Sequence, residues 1–219
     1  MMLCLLRSLL VKSIKDKKFV FDFDGVIGNS MNVGYAMHNS VREKYGLPII
    51  EGPQDYLMVI DNNHLSNFMD FDRIRNYYLE CNAYYEAHLS KIKLFPAMKE
   101  LLKASSYDII IISSCPDSFI REILKSNGID KITVYGKAVA KSKKERFAML
   151  LEDKNISKED IVYIGDTIDD FHFCEQVGIP MIGSNYGYSD LSGLKDLLLE
   201  LMEQPEELVE YIKPKMLVR

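Results

Sequence analysis

Three short runs of near-continuous apolar residues constrain this chain more than anything else in it. They are Lys18–Phe23 (KFVFDF), Asp108–Ser113 (DIIIIS) and Asp160–Gly165 (DIVYIG). A strand with one wet face alternates apolar and polar residues, whereas one covered on both faces is apolar throughout. Strands of the second kind belong to a parallel sheet flanked by helices. Helical patterns lie between the later runs. Asp117–Ser126 (DSFIREILKS) opens on an acidic residue and stops near Asn127-Gly128, and Ser142–Glu152 (SKKERFAMLLE) carries Phe147, Leu150 and Leu151 on one face. The alternation predicts an α/β fold, a doubly wound parallel sheet whose ligands bind beyond the carboxyl ends of the strands.

Residues 30–94 have a different texture, with most of the tyrosines, methionine-rich helical stretches and no run resembling a core strand. Turn signals stand at Gly46-Leu47-Pro48, Gly52-Pro53 and Asp61-Asn62-Asn63. The expected division is an N-terminal amphipathic segment at 1–18, an α/β core at 19–29 and 95–219, and an inserted helical domain at 30–94. A total of 219 residues suits one domain with such an insertion. Residues 1–18 place Leu3, Leu6, Leu10 and Ile14 at helical spacing among Arg7, Lys12, Lys15, Lys17 and Lys18. That pattern is compatible with an anionic membrane surface, but packing on the core is the expectation. No apolar run approaches the ~18 residues of a spanning helix. The formal net charge of −5 argues against a nucleic-acid partner. Four scattered cysteines without a C-x-x-C pair suggest a reducing, cytoplasmic setting. The acidic stretch Glu200–Glu210 is expected to be a solvated helix face.

The polar residues at the strand ends carry the chemistry. Asp22 and Asp24 close the first run in Asp22-Phe23-Asp24-Gly25-Val26, and strand periodicity puts both carboxylates on one side. Adjacent buried carboxylates need a cation or a proton between them, and Mg²⁺ prefers such hard oxygen ligands. An ionised carboxylate there can attack a phosphoryl centre, while its neighbour protonates the leaving oxygen and later activates water. The third run ends in Gly165-Asp166-Thr167-Ile168-Asp169-Asp170, which adds Asp166 at a strand tip and Asp170 four residues on. A helix N-terminus alone would explain Asp169 and Asp170, but not Asp166. The second run ends in Ser113-Ser114-Cys115-Pro116, whose hydroxyls and backbone N–H groups can cradle phosphate oxygens. Lys141, Lys143 and Lys144 precede the third strand and offer a neutralising cation. The four histidines show no ligand spacing, and Tyr77-Tyr78 with Tyr84-Tyr85 reads as helix packing.

In this order the pieces resemble the haloacid dehalogenase-like superfamily of hydrolases, from about Lys18 to Gly183. The resemblance rests on DFDGV at 22, Ser113, the lysine region and GDTIDD at 165. It implies a Rossmann-like core with an inserted helical cap, as in the phosphoglycolate phosphatase and phosphoglucomutase branch. It implies Asp22 as nucleophile and Asp24 as acid/base, with Ser113 and the Ser114 backbone on the phosphoryl oxygens. Lys143 would be the neutralising lysine, with Lys141 its rival. Mg²⁺ would be held by Asp22, the carbonyl of Asp24 and Asp166, with Asp170 acting indirectly, from behind those ligands or through water. Val26, Asn29 and Phe95-Pro96-Ala97 depart from the usual pattern without removing a chemical group.

The expected activity is therefore Mg²⁺-dependent hydrolysis of a small phosphorylated metabolite, phosphoglycolate- or sugar-phosphate-like. Alternatives are a phosphomutase with the same groups, or a scaffold that kept the fold without activity. A receiver-type phosphoacceptor would need neither Asp24 nor a helical insertion. Substrate identity and oligomeric state are not legible.

Overall fold

A computed structural model describes residues 17–52, 55–56, 65–104, 107–137 and 142–216. The expected amphipathic helix lies almost wholly outside these residues, as does Lys141. Two compact units emerge, one of residues up to Gly28 and from Leu94 onward, the other Asn29–Lys93.

Among the described residues the first unit is built on six parallel strands. They are β1 (Lys18–Phe21), β4 (Ile110–Ile112), β5 (Thr133–Tyr135), β6 (Ile161–Gly165), β7 (Met181–Ser184) and β8 (Glu200–Met202), in the spatial order β5-β4-β1-β6-β7-β8. Two-residue strands β2 (Gly28–Asn29) and β3 (Lys93–Leu94) pair with each other where the chain leaves and re-enters this unit. Counted along the chain, the sheet order reads 3-2-1-4-5-6, the doubly wound arrangement with its switch point at β1. The register sets Phe21 beside Ile111 on one flank and Ile164 on the other. The three apolar runs are thus the three central strands, and Val20, Ile110, Ile112, Ile161 and Tyr163 are buried in one core cluster. Each such side chain contributes roughly 1.5–3 kcal/mol of burial.

Among the described residues, five α-helices of this unit flank the sheet: α3 (Pro96–Lys103), α4 (Asp117–Ser126), α5 (Lys143–Lys154), α6 (Ile168–Val177) and α7 (Pro205–Ile212). The acidic stretch at 200–210 departs from expectation. Glu200–Met202 is the edge strand β8, paired in register with Ile182–Ser184, and only then does Pro205 open α7. Leu208 and Ile212 are buried while Glu206, Glu207 and Glu210 stay exposed. An edge strand tolerates charge because one side of it faces water, so its sequence need not look like a core strand. Among the described residues no helix is long and apolar enough to cross a membrane.

The second unit is helical. α1 (Met31–Tyr45) ends at Gly46, whose left-handed φ of 64° caps it at the expected turn. α2 (Phe71–Ala87) starts at Asp70, whose side chain accepts from Arg73 N at 2.9 Å. Val41, Leu65, Met69, Tyr77 and Cys81 form its core. His38 is buried there, with Nδ1 2.7 Å from the Tyr77 hydroxyl and 3.8 Å from Cys81 Sγ. Tyr77 is a core residue, as the packing reading expects.

Burial, helped by the nearby charge of Arg42, lowers the His38 pKa from 6.5 to about 4. The unfolded chain takes up this proton near 6.5, so the stabilisation is complete above that value and lost as pH falls toward 4. The window is worth about 3 kcal/mol. His38→Asn is predicted to flatten the pH dependence of the urea midpoint across that window. An unchanged slope would refute the assignment.

Candidate functional site

The carboxyl ends of β1 and β6 lie side by side at the switch point, and both end in aspartate. Asp22 N–H donates to Ile164 O at 2.9 Å, so the first aspartate leaves the sheet still tied to β6. Its Oδ1 accepts from Phe23 N at 2.6 Å. Asp166 follows Gly165 directly, and Asp170 sits one turn into α6. Side-chain oxygens of Asp22, Asp166 and Asp170 lie within 4.8 Å of one another. All three residues are buried, Asp166 1% and Asp170 0% exposed.

Local rules of helix capping place Asp170. Thr167 is the N-cap of α6, and its hydroxyl accepts from Asp170 N at 3.1 Å. In return Asp170 Oδ2 accepts from the Thr167 hydroxyl at 2.8 Å and from the Thr167 and Asp166 amides at 3.2 Å each. This is a capping box, and it leaves Oδ1 to pair with Lys143. One side chain thus caps α6 and lies beside the other two carboxylates.

Asp166 is confined by two glycines. A Cβ on Gly25, which has φ +74°, would fall 2.0 Å from Asp166 Oδ2. A Cβ on Gly187 would fall 2.3 Å from Asp166 Cβ. The Tyr188 amide donates to Asp166 Oδ2 at 2.8 Å, and the Ser189 amide to its backbone oxygen at 3.1 Å. The Gly187-Tyr188-Ser189 turn was not legible as part of the site, because its contribution is made by backbone.

Lys143 answers the negative charge. Its Nζ lies 2.8 Å from Asp22 Oδ2 and also pairs with Asp170 Oδ1, above the ring of Tyr163. Lys143 and Lys144 occupy the first two positions of α5, where the helix dipole disfavours cations by roughly 0.3–1 kcal/mol each. A capping box between Ser142 and Glu145 holds that helix start in place. The ion pairs outweigh the dipole for Lys143.

The electrostatics follow from burial and this single ammonium. Burial pushes Asp166 well above the usual carboxylate range, and the charges of Asp170 and Asp22 push it further. Burial acts on Asp170 too, but the Lys143 charge and the bonds from Lys143 and Thr167 outweigh it and hold Asp170 below the ordinary value. Burial is also the main reason Asp22 is raised, partly countered by Lys143. A site of three carboxylates and one ammonium carries two unbalanced negative charges when fully ionised. The donor set is hard oxygen, and a divalent cation fits both its charge and its chemistry.

The remaining expected residues are nearby in the fold. Asp24 is half-buried in the turn after β1, outside the trio of converging carboxylates. Ser113 ends β4, buried, with its hydroxyl accepting from Cys115 N at 3.2 Å. Ser114 is exposed, and Arg146 Nη2 lies 3.5 Å from its Oγ. In the sequence Arg146 reads as one more basic residue on an amphipathic helix.

Removing one partner of a buried ion pair leaves its counter-charge stranded, at a cost of about 3–5 kcal/mol. Lys143→Met, measured by urea denaturation in chelator, is predicted to lose stability on that scale at pH 7. The loss should shrink at pH 5 as the stranded carboxylates take up protons. Equal losses at both pH values would contradict this account.

Comparison with known proteins is consistent with this architecture. A phosphoglycolate phosphatase from Vibrio parahaemolyticus is 25% identical over 217 residues, covering 85% of this chain and 95% of that relative. A haloacid dehalogenase-like family hydrolase from Streptococcus pneumoniae superposes with a TM-score of 0.76 at 20% identity, covering 90% of this chain and 98% of its own. A hydrolase from Pseudomonas syringae gives 0.74 at 18% identity, with coverage of 90% and 98%. At those identities the two structures speak for the fold. The sequence profile of the haloacid dehalogenase-like hydrolases matches residues 19–184, and the chain belongs to that family.

Proposed function

We propose that this hydrolase is a phosphatase acting on a small phosphorylated metabolite, with Asp22 as nucleophile. The observation that carries the reading is the buried convergence of Asp22, Asp166 and Asp170 at the switch point of the sheet, with Lys143 paired to Asp22 and Asp170. The phosphoglycolate phosphatase relative, matched over most of its length, makes a phosphoglycolate-like compound the first substrate to try.

In this reading Lys143 keeps the Asp22 carboxylate ionised and oriented. A carboxylate oxygen of Asp22 bonds to phosphorus as the bond from phosphorus to the leaving oxygen breaks. Asp24 protonates that leaving oxygen. It then takes a proton from the water that attacks the aspartyl-phosphate, which releases phosphate and regenerates Asp22. Ser113 and the Ser114 amide receive the phosphoryl oxygens. Asp22, Asp166, Asp170 and the Asp24 carbonyl would hold Mg²⁺, which when bound supplies positive charge against the phosphoryl oxygens.

The test is phosphate release from 2-phosphoglycolate and from an aryl phosphate, with Mg²⁺ and with chelator. Release is predicted to require Mg²⁺ and to fall at least about a thousandfold in Asp22→Asn. Turnover that survives Asp22→Asn in contaminant-free protein would overturn the nucleophile assignment.

A further inference from the structure

Arg146 is among the largest fully buried side chains in the protein, 2% exposed, on the face of α5 one turn beyond Lys143. A guanidinium stays charged at any ordinary pH, and burying one costs several kcal/mol unless negative charge compensates it. Methionine or leucine would fill most of the same volume without that cost. The nearby negative charge includes Asp22, which favours the charged form against the burial that disfavours it. The outward neighbour is Ser114, whose Oγ is 3.5 Å from Nη2 on the exposed lip of the site. That separation is long for a strong hydrogen bond, so the guanidinium positions the hydroxyl more by field than by contact.

From this geometry we infer that Arg146 is a positioning residue for anion binding, a second cation that acts through Ser114 on a phosphoryl group held at the strand ends. The inference rests on the phosphatase reading above. Charge counting supports it. Three carboxylates, Lys143 and a divalent cation sum to zero, so a phosphoryl dianion would enter a neutral pocket. With Arg146 the sum is +1, and the pocket attracts the anion before any chemistry begins. Arg146 stands behind the phosphate-facing lip, whereas Lys143 is committed to Asp22 and Asp170. The two cations thus divide the work, one holding the nucleophile and the other biasing the site toward anions.

The probe is inorganic phosphate, titrated calorimetrically into the full chain with Mg²⁺ present, so that binding is read without turnover. Arg146→Gln is predicted to weaken phosphate binding about tenfold, the scale of one charge-assisted contact. Arg146→Lys should stay within about threefold of wild type, since it keeps the charge. Ser114→Ala, a change at an exposed position, should weaken binding alone and add little in the Arg146→Gln background. A structural role would not produce charge rescue or that coupling. Equal weakening by Gln and Lys, binding within twofold of wild type for Arg146→Gln, or additive losses would each overturn the inference. Should Arg146→Gln not fold, Arg146→Lys and Ser114→Ala decide: the inference stands if Arg146→Lys stays within about threefold of wild type and Ser114→Ala weakens phosphate binding in both backgrounds, and a larger loss in Arg146→Lys, or no effect of Ser114→Ala, overturns it. Failure of the phosphatase reading looks different: phosphate binds with the predicted pattern, yet no phosphomonoester is turned over.

Discussion

Everything at the switch point depends on the ion pairs that Lys143 makes with Asp22 and Asp170. Three aspartates buried within a few ångströms of each other would repel strongly in a low-dielectric interior. One ammonium between two of them lets the strand ends of β1 and β6 stay in register while both terminate in acid. The third, Asp166, is left to the backbone amide of Tyr188 and to its own raised proton affinity. The sheet supplies the rigidity for this arrangement. Its central strands are apolar on both faces, and their hydrogen-bonded ends fix where the carboxylates emerge.

Local and global preferences disagree at several places, and three of them surround the strand ends. Lysine is a poor choice for the first position of a helix, yet Lys143 stands there. Arginine is a poor choice for a buried helix face, yet Arg146 is there. Asp166 is walled by Gly25 and Gly187 so closely that no side chain fits at either position. Natural sequences are otherwise consistent from propensity to packing, so a cluster of such violations is where a functional site is sought first.

The sheet was legible because its central strands must be apolar on both faces, and Asp22, Asp166 and Asp170 were legible because they interrupt or follow those runs. The helix Asp117–Ser126 could be read residue for residue from its amphipathic pattern. Other features left weaker traces. Strands β5 (TVY), β7 (MIGS) and β8 (ELM) carry threonine, glycine and serine, or glutamate, so no unbroken apolar run announced them. The Gly187-Tyr188-Ser189 turn acts through amides that every residue possesses. Arg146 was hidden because burial of a charged side chain is a tertiary fact, invisible in a pattern that assigns Arg to the wet face. Within the helical unit, His38 carried no sequence signal for the same reason.

The central claim is that Asp22 becomes covalently phosphorylated. The most direct measurement is acid-quenched mass spectrometry of the chain caught during turnover of a phosphomonoester with Mg²⁺, with the peptide containing Asp22 examined for a phosphoryl adduct. The account predicts the adduct on Asp22, present during turnover and absent in chelator. Product formation without an adduct on that peptide, or with the adduct on another residue, would contradict it.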